Sequence, residues 1–294
     1  MSFSLQDVIN GLSLGGVYAL LAVGFALIFG VLKFSNMAHG NSMMLCAYIS
    51  YFISLWIHAN IIVTILLTGL AGGCLGLLVE RIGFRRLMRK NASNLLFFVS
   101  SFIIGMLILN SVSVAFLLRY FAYPKFFEQA YIKVGAYTIS TPSMVMFGVS
   151  VVLLGIISYM LYGTRYGIAV RALAQDRRTT GLMGVNVNFL IAATFFVAYF
   201  IGGVGGFFMG YRYGITTSLS NSMSKIMIAS VIGGLGSVGG AVVGSVLLGM
   251  IEVILVKIPF IGEAYSPVII FGLLIVLLIV RPRGIMGKFT AEKV

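Results

Sequence analysis

The chain has 294 residues, of which 60% are apolar, 9% are charged and 36 are glycine, and its mean hydropathy is +1.08; soluble domains carry about 25% charged residues, so an ordinary soluble enzyme is excluded. Twenty basic residues against seven acidic ones give a formal net charge of +13. That surplus falls between apolar runs, where the positive-inside bias of membrane proteins explains it and nucleic-acid binding is not needed.

Against the roughly 20 residues that a membrane-spanning helix needs, eight apolar runs stand out: 8–32, 43–57, 61–79, 95–118, 144–162, 189–209, 226–256 and 264–280. The fold expected is an all-α polytopic membrane protein, with residues 1–294 forming one transmembrane domain. The N-terminus lacks the basic flank of a cleavable signal, and the run that follows is too long for a signal core, so the first segment is expected to be retained. Between the first two runs lies a polar break, Lys33-Phe-Ser-Asn-Met-Ala-His-Gly-Asn-Ser42. Polar residues at membrane depth are functional candidates by default; Asn36, His39 and Asn41 either line a path or cap broken helix ends. Cys46 and Cys74 fall within apolar runs, read as small buried hydrophobes, and indicate neither a disulfide framework nor a metal site. His58, beside Trp56, reads as an interfacial anchor.

Three basic clusters set the expected topology: Arg81, Arg85, Arg86, Arg89 and Lys90; then Arg165, Arg171, Arg177 and Arg178; then Arg281, Arg283 and Lys288. Placing them inside puts 119–141 outside, and the N-terminus outside if 8–32 crosses once; the break around Asn36 leaves that side open. The tail reaches the inside only if the 226–256 segment enters and returns to the same side. Gly233, Gly234, Gly236, Gly239 and Gly240, with Ser230 and Ser237 among them, give it a place to turn. Broken backbone at membrane depth is tolerated where protein or a watery cavity satisfies it, as at transporter sites. Loop 164–187 reads as a helical cytoplasmic docking element, with Ala172, Leu173, Thr180 and Leu182 offering surface and Arg171, Asp176 and Arg177 offering charge. Glycines four residues apart, such as Gly11 and Gly15 or Gly72 and Gly76, predict close helix packing within the chain.

Several catalytic patterns fail on context. Gly11-Leu-Ser13-Leu-Gly15 fits a nucleophile elbow, with His39 as a conceivable base, but opens an apolar helix instead of a strand-to-helix turn. Gly234-Leu-Gly-Ser-Val-Gly239 lacks the βαβ unit of a dinucleotide site, and the chain has no Walker A loop, so if ATP drives transport, another subunit binds it. Six acidic residues lie at segment ends, in loops or in the tail; Glu252 alone sits inside an apolar run, near Lys257, which argues against an ion-driven carrier.

The segments Gly11-Leu-Ser-Leu-Gly-Gly-Val-Tyr-Ala-Leu20, Gly30-Val-Leu-Lys-Phe-Ser-Asn-Met-Ala-His-Gly40, Arg171-Ala-Leu-Ala-Gln-Asp176, Gly181-Leu-Met-Gly-Val-Asn186, Ile232-Gly-Gly-Leu-Gly-Ser-Val-Gly-Gly-Ala241 and Arg281-Pro-Arg-Gly-Ile-Met-Gly287 together resemble the LivH-type inner-membrane permeases of branched-chain amino acid ABC importers. The family often has Asn-Phe-Ala-His-Gly where this chain has Asn36-Met-Ala-His-Gly40, and an acidic residue where Asn41 stands. The resemblance implies a pore half without catalytic residues, cofactor or metal. Its partners would be a LivM-type second permease, two ATPase subunits and a substrate-binding protein that supplies Leu, Ile or Val; related permeases carry urea, amides or other amino acids. The path residues expected are Tyr18, Asn36, His39, Asn41, Ser230, Gly234 and Ser237, and the ATPase-coupling residues Arg171, Asp176, Thr180 and Gly181. A stand-alone channel or carrier is the alternative from another class.

Overall fold

In lipid every backbone polar group must be satisfied within the segment, which makes helices the default for these apolar runs. The computed structural model describes residues 5–57, 60–90, 92–126, 131–134, 137–258, 262–282 and 284–287. In chain order the helices are α1 (Leu5–Leu32), α2 (Ala38–Trp56), α3 (Ile61–Val79), a π turn (Glu80–Phe84) leading into α4 (Arg85–Arg89), and α5 (Asn94–Phe116). A two-stranded antiparallel hairpin, β1 (Tyr131–Val134) and β2 (Tyr137–Ser140), precedes α6 (Thr141–Gly163), α7 (Arg165–Gln175), α8 (Arg177–Leu182) and α9 (Val187–Tyr213). After a 3-10 turn (Thr217–Asn221) come α10 (Ser222–Gly233), α11 (Val238–Val256) and α12 (Gly262–Val280). Among the described residues six helices are long and apolar enough to cross a membrane: those over Gln6–Leu32, Ile61–Arg89, Asn94–Phe116, Thr141–Gly163, Val187–Tyr213 and Val238–Val256. The hairpin is a small departure from an all-α chain.

The spine is α1, buried almost continuously from Leu14 to Ile28. It crosses α11 in antiparallel fashion on bare backbone: a Cβ at Gly15 would lie 2.8 Å from Val246 Cα, and one at Gly249 2.4 Å from Gly15 N. The same device joins α3 to α9, where Gly72 faces the Tyr199 carbonyl, and α9 to α2, where Gly206 faces that of Met43. The small-residue pairs are thus used inside the chain.

The 226–256 segment folds back on itself. Gly240 abuts Gly233 and Gly244 abuts Ala229, so α10 and α11 form a tight antiparallel helical hairpin. At 1.5 Å per residue the 12 residues of α10 reach only about 18 Å, short of a hydrocarbon core of about 30 Å.

The helix ends sort into two ends of the bundle. At one, a cleft brings Lys33 after α1 together with Met88 of α4, Asn94 of α5 and Arg177, and its neighbour joins Gly30, Arg171 and Gly236. Ile285 and Met286 bond to Ile232 and Gly233 there. The first two basic clusters and Arg281 of the third therefore reach one end, in keeping with the positive-inside argument. The opposite end holds the Asp7–Lys257 ion pair and the Phe121–Ile215 bridge.

Two local readings change. Cys46 is buried, but Cys74 is exposed, because on α3 it lies off the glycine seam that faces α9. Leu173 and Thr180 are buried, so they do not offer docking surface. Trp56 is exposed; His58, Arg283 and Lys288 lie outside the described residues.

Candidate functional site

The first polar break leaves α1 through Lys33, whose φ is +58°, and turns inward along residues 34–37. Asn36 holds the turn: its Oδ1 accepts from Ala38 N at 3.2 Å and its Nδ2 donates to the Tyr199 hydroxyl at 3.0 Å. His39, the second residue of α2, is fully buried, edge-on to Tyr199 with ring centroids 5.2 Å apart. Its ring fills the space that side chains on Gly24 of α1 and Gly202 of α9 would need; a Cβ on either would come within 3.0 Å of the imidazole. Neither ring nitrogen makes a hydrogen bond among the described residues, and the nearby Leu21 carbonyl does not meet the geometry of one. Asn41 turns instead toward α5, where its amide faces Gly105. Asn36 and His39 thus converge on α9, and Asn41 does not join them. Tyr199 was missed because a lone tyrosine in an apolar run carries no distinguishing signal.

The second break is the α10–α11 turn, where Gly234 and Gly236 have φ of +110° and +80°, a region that L side chains avoid. Ser237 caps α11 by accepting from Gly240 N at 3.1 Å. The last carbonyls of α10 are capped from outside the hairpin, with Ile285 N donating to Ile232 O at 2.8 Å and Met286 N to Gly233 O at 2.9 Å. Ser230 is buried and its hydroxyl has no partner among the described residues. The two breaks meet α1 at Gly24 and Gly30, about six residues or 9 Å apart along the axis.

Tyr18 lies on the same spine, further toward the end away from the basic clusters. Its hydroxyl donates to Glu252 Oε2 at 2.8 Å, and Lys225 Nζ pairs with Glu252 Oε1 at 2.5 Å. The sequence places Glu252 beside Lys257; the hairpin brings Lys225 to it instead, while Lys257 pairs with Asp7 at 2.5 Å. Lys225 immediately precedes an apolar run, so its role was invisible until α10 folded back.

On the basic end, α7 and α8 meet at Asp176, which caps α8 by accepting from Arg178 N at 2.8 Å and Thr179 N at 3.3 Å. The Thr179 hydroxyl, then the two N–H groups, hold this carboxyl below the usual aspartate range. Thr180 turns inward and donates to the Asp176 carbonyl at 2.7 Å, whereas Gly181, Leu182 and Met183 are exposed. Arg171 is exposed, stacks over Tyr162 at 5.5 Å and donates to the Leu161 carbonyl. Burial pushes the Tyr166 hydroxyl up, against a 3.1 Å bond to Thr194 that ties α7 to α9. The elbow-like Ser13 sits within the continuous α1 helix and donates to the Ser143 carbonyl at 2.7 Å, a structural bond.

Residues 8–278 match the family model described as the permease component of branched-chain amino acid transport systems. The chain is 31% identical to the high-affinity branched-chain amino acid transport system permease protein LivH of Salmonella typhimurium, covering 99% of this chain and 98% of that one. It is 30% identical to the corresponding protein BraD of Pseudomonas aeruginosa, again over 99% and 98%. A probable LivH of Methanocaldococcus jannaschii is 22% identical over 91% and 88%. No solved structure gives a significant match.

Proposed function

This chain belongs to the branched-chain amino acid transport permease family, and on that premise we propose that it forms half of the pore of an ATP-driven importer of Leu, Ile or Val. The observation that carries the reading is full-length similarity to permeases named for that transport. Such permeases are multi-pass inner-membrane subunits and not themselves enzymes. A LivM-type permease would supply the other pore half, two ATPase chains the nucleotide sites, and a binding protein the substrate.

The whole chain acts as one permease domain with 164–187 as its coupling element. Arg171 and Gly181 present surface to the ATPases, while Asp176 and Thr180 hold α8 in shape for that contact. The path is assigned to Asn36 and His39 at the first break, Ser230, Gly234 and Ser237 at the second, Tyr18 toward the outer end, and Asn41 against α5. Both breaks touch α1, which supports one shared path, and ATP shifts which of two packed states is favoured.

Gentle purification from the native membrane tests the assignment. Stoichiometric recovery with a second permease and two Walker-containing ATPases is expected. Recovery alone, under conditions where a control complex survives, would favour a stand-alone carrier. If Asn36→Ala and His39→Ala both left uptake unchanged in a folded complex, the path assignment at the first break would be wrong.

A further inference from the structure

At the end of the bundle away from α7, helices α1, α9, α10, α11 and α12 enclose a cavity of about 400 Å³, within the ~300–1,000 Å³ usual for small-molecule sites. Its wall carries charges of both signs beside an apolar face. Glu252 and Asp7, each 7% exposed, bring the negative groups. Lys225 and Lys257 are already paired with them. Arg212 also lines the cavity, lies over the Tyr213 ring at 5.7 Å, and has no carboxylate paired with it among the described residues. Val253 and Pro267 supply part of the apolar face. Ser266 lines the same space at 3% exposure, and its hydroxyl has no hydrogen-bond partner among the described residues.

A buried hydroxyl without a partner costs stability, and one that faces a roomy, charged cavity is in place to meet a ligand. The unpaired guanidinium calls for a carboxylate, the planar acceptor that fits its fork. The Glu252 and Asp7 carboxylates, whose oxygens each accept more than one bond, suit an ammonium group. A small apolar side chain fits the remaining wall. We propose that this cavity binds the zwitterion of an apolar α-amino acid, with its carboxylate on Arg212, its ammonium toward Glu252 and Asp7, and Ser266 completing the polar contacts. The inference rests on the import reading, which gives the site its role as an entry station on the outer side.

The test is equilibrium binding of radiolabelled L-leucine to the complete transport complex in lipid nanodiscs, without binding protein or nucleotide. Arg212→Gln and Ser266→Val are compared with the parent, and ATP-driven uptake with the binding protein present is measured on the same preparations. Losing one charge-assisted bond is expected to weaken binding about tenfold or more in Arg212→Gln, and Ser266→Val should weaken it as well. 4-Methylpentanoate, which lacks the ammonium, and isopentylamine, which lacks the carboxylate, should each compete at least about tenfold more weakly than leucine. Binding that is absent from the parent, unchanged in both variants, or equally well competed by either analogue overturns the site. Such a result in a complex that still imports leaves the import reading standing, whereas absence of uptake by the parent complex counts against that reading on its own.

Discussion

Replacing His39 with leucine should make the protein more stable while impairing transport. The imidazole is 1% exposed and neither nitrogen is hydrogen-bonded; an orphaned buried polar group costs about 1–3 kcal/mol, and an apolar replacement of similar shape removes that cost. Against this stands the lost edge contact with Tyr199, about 0.5–1.5 kcal/mol for an aromatic pair. The two orphaned nitrogens, about 2–6 kcal/mol together, outweigh the single ring contact, for a net gain of at least about 0.5 kcal/mol. At roughly 2–4 °C per kcal/mol for a chain of this size class, the midpoint should rise by at least about 1 °C. Thermal unfolding of the detergent-solubilised complex in a Cys74→Ser background, which removes the exposed thiol so that within this chain a thiol-reactive dye reports exposure of buried Cys46, reads the first quantity, and reconstituted uptake reads the second. A fall in stability of more than about 1 kcal/mol would mean that the ring is satisfied, for instance by the Leu21 carbonyl, and the packing argument would fail. A rise in stability with unchanged uptake would instead confine His39 to packing.

Glu252→Gln should destabilise by about 2 kcal/mol, less than the ~3–5 kcal/mol of a fully buried broken pair, because the Lys225 side chain is 26% exposed and reaches water. Adding Lys225→Met should recover much of the loss, and a purely additive double mutant would deny the pairing. Gly249→Ala drives a Cβ to 2.4 Å from Gly15 N and should cost about 1–3 kcal/mol by overpacking; Gly148→Ala, with nothing within 4 Å of its Cβ, should be neutral or slightly stabilising, and equal unfolding midpoints for the two would refute the seam. The Asp176 carboxyl is held below its usual value of 3.8, so its stabilisation of α8 is complete above that value and is lost as pH falls through the lower folded one. Asp176→Ala should therefore speed amide exchange at Arg178 and Thr179 at neutral pH, whereas Asp176→Asn, which keeps the acceptor, should not; exchange equally slow in both variants would remove the cap from the account.

Membrane topology was legible because two strong signals, run length and the placement of arginine, act along the chain itself. The re-entry of 226–256 followed from charge parity plus a glycine cluster, and the α10–α11 hairpin has the predicted turn. The candidate site was legible only where polarity interrupts an apolar run, as at Asn36 and His39. Tyr199, Lys225 and Asp7 acquire their partners through crossings of α9, α10 and α1 that leave no local mark. The strap of Ile285 and Met286 on the end of α10 was equally hidden, since a motif shows that residues matter without showing which carbonyls they cap. Cys74 failed for a simpler reason: in lipid an apolar environment does not imply burial within the protein.

Asn36, His39 and Ser230 are at most 1% exposed, so a path lined by them is closed in this structure and opens only if helices part. The glycine seams argue where parting is difficult. Along α1–α11, α3–α9 and α2–α9 glycines bring the backbones into contact at Gly15, Gly72 and Gly206, and a close-packed seam of this kind holds one arrangement and resists gradual shear. The outer faces of α5 and α6 are different: a Cβ on Gly148 or Gly155 of α6 would meet nothing within 4 Å among the described residues, and Phe102, Ile103 and Leu107 of α5 are exposed, although Gly105 on the inner face of α5 lies against the Ala38 backbone. Yet α5 supplies Ser101, whose hydroxyl takes the Met37 N–H at 3.2 Å, and α6 runs directly into α7 through Thr164. Thus α5 is tied to the first break and α6 to the proposed coupling loop. Were α7 the coupling element, its motion would pass to α6 through Thr164 and to α5 across the cleft that Leu173 shares with Asn94 and Phe97, while the glycine seams hold the core.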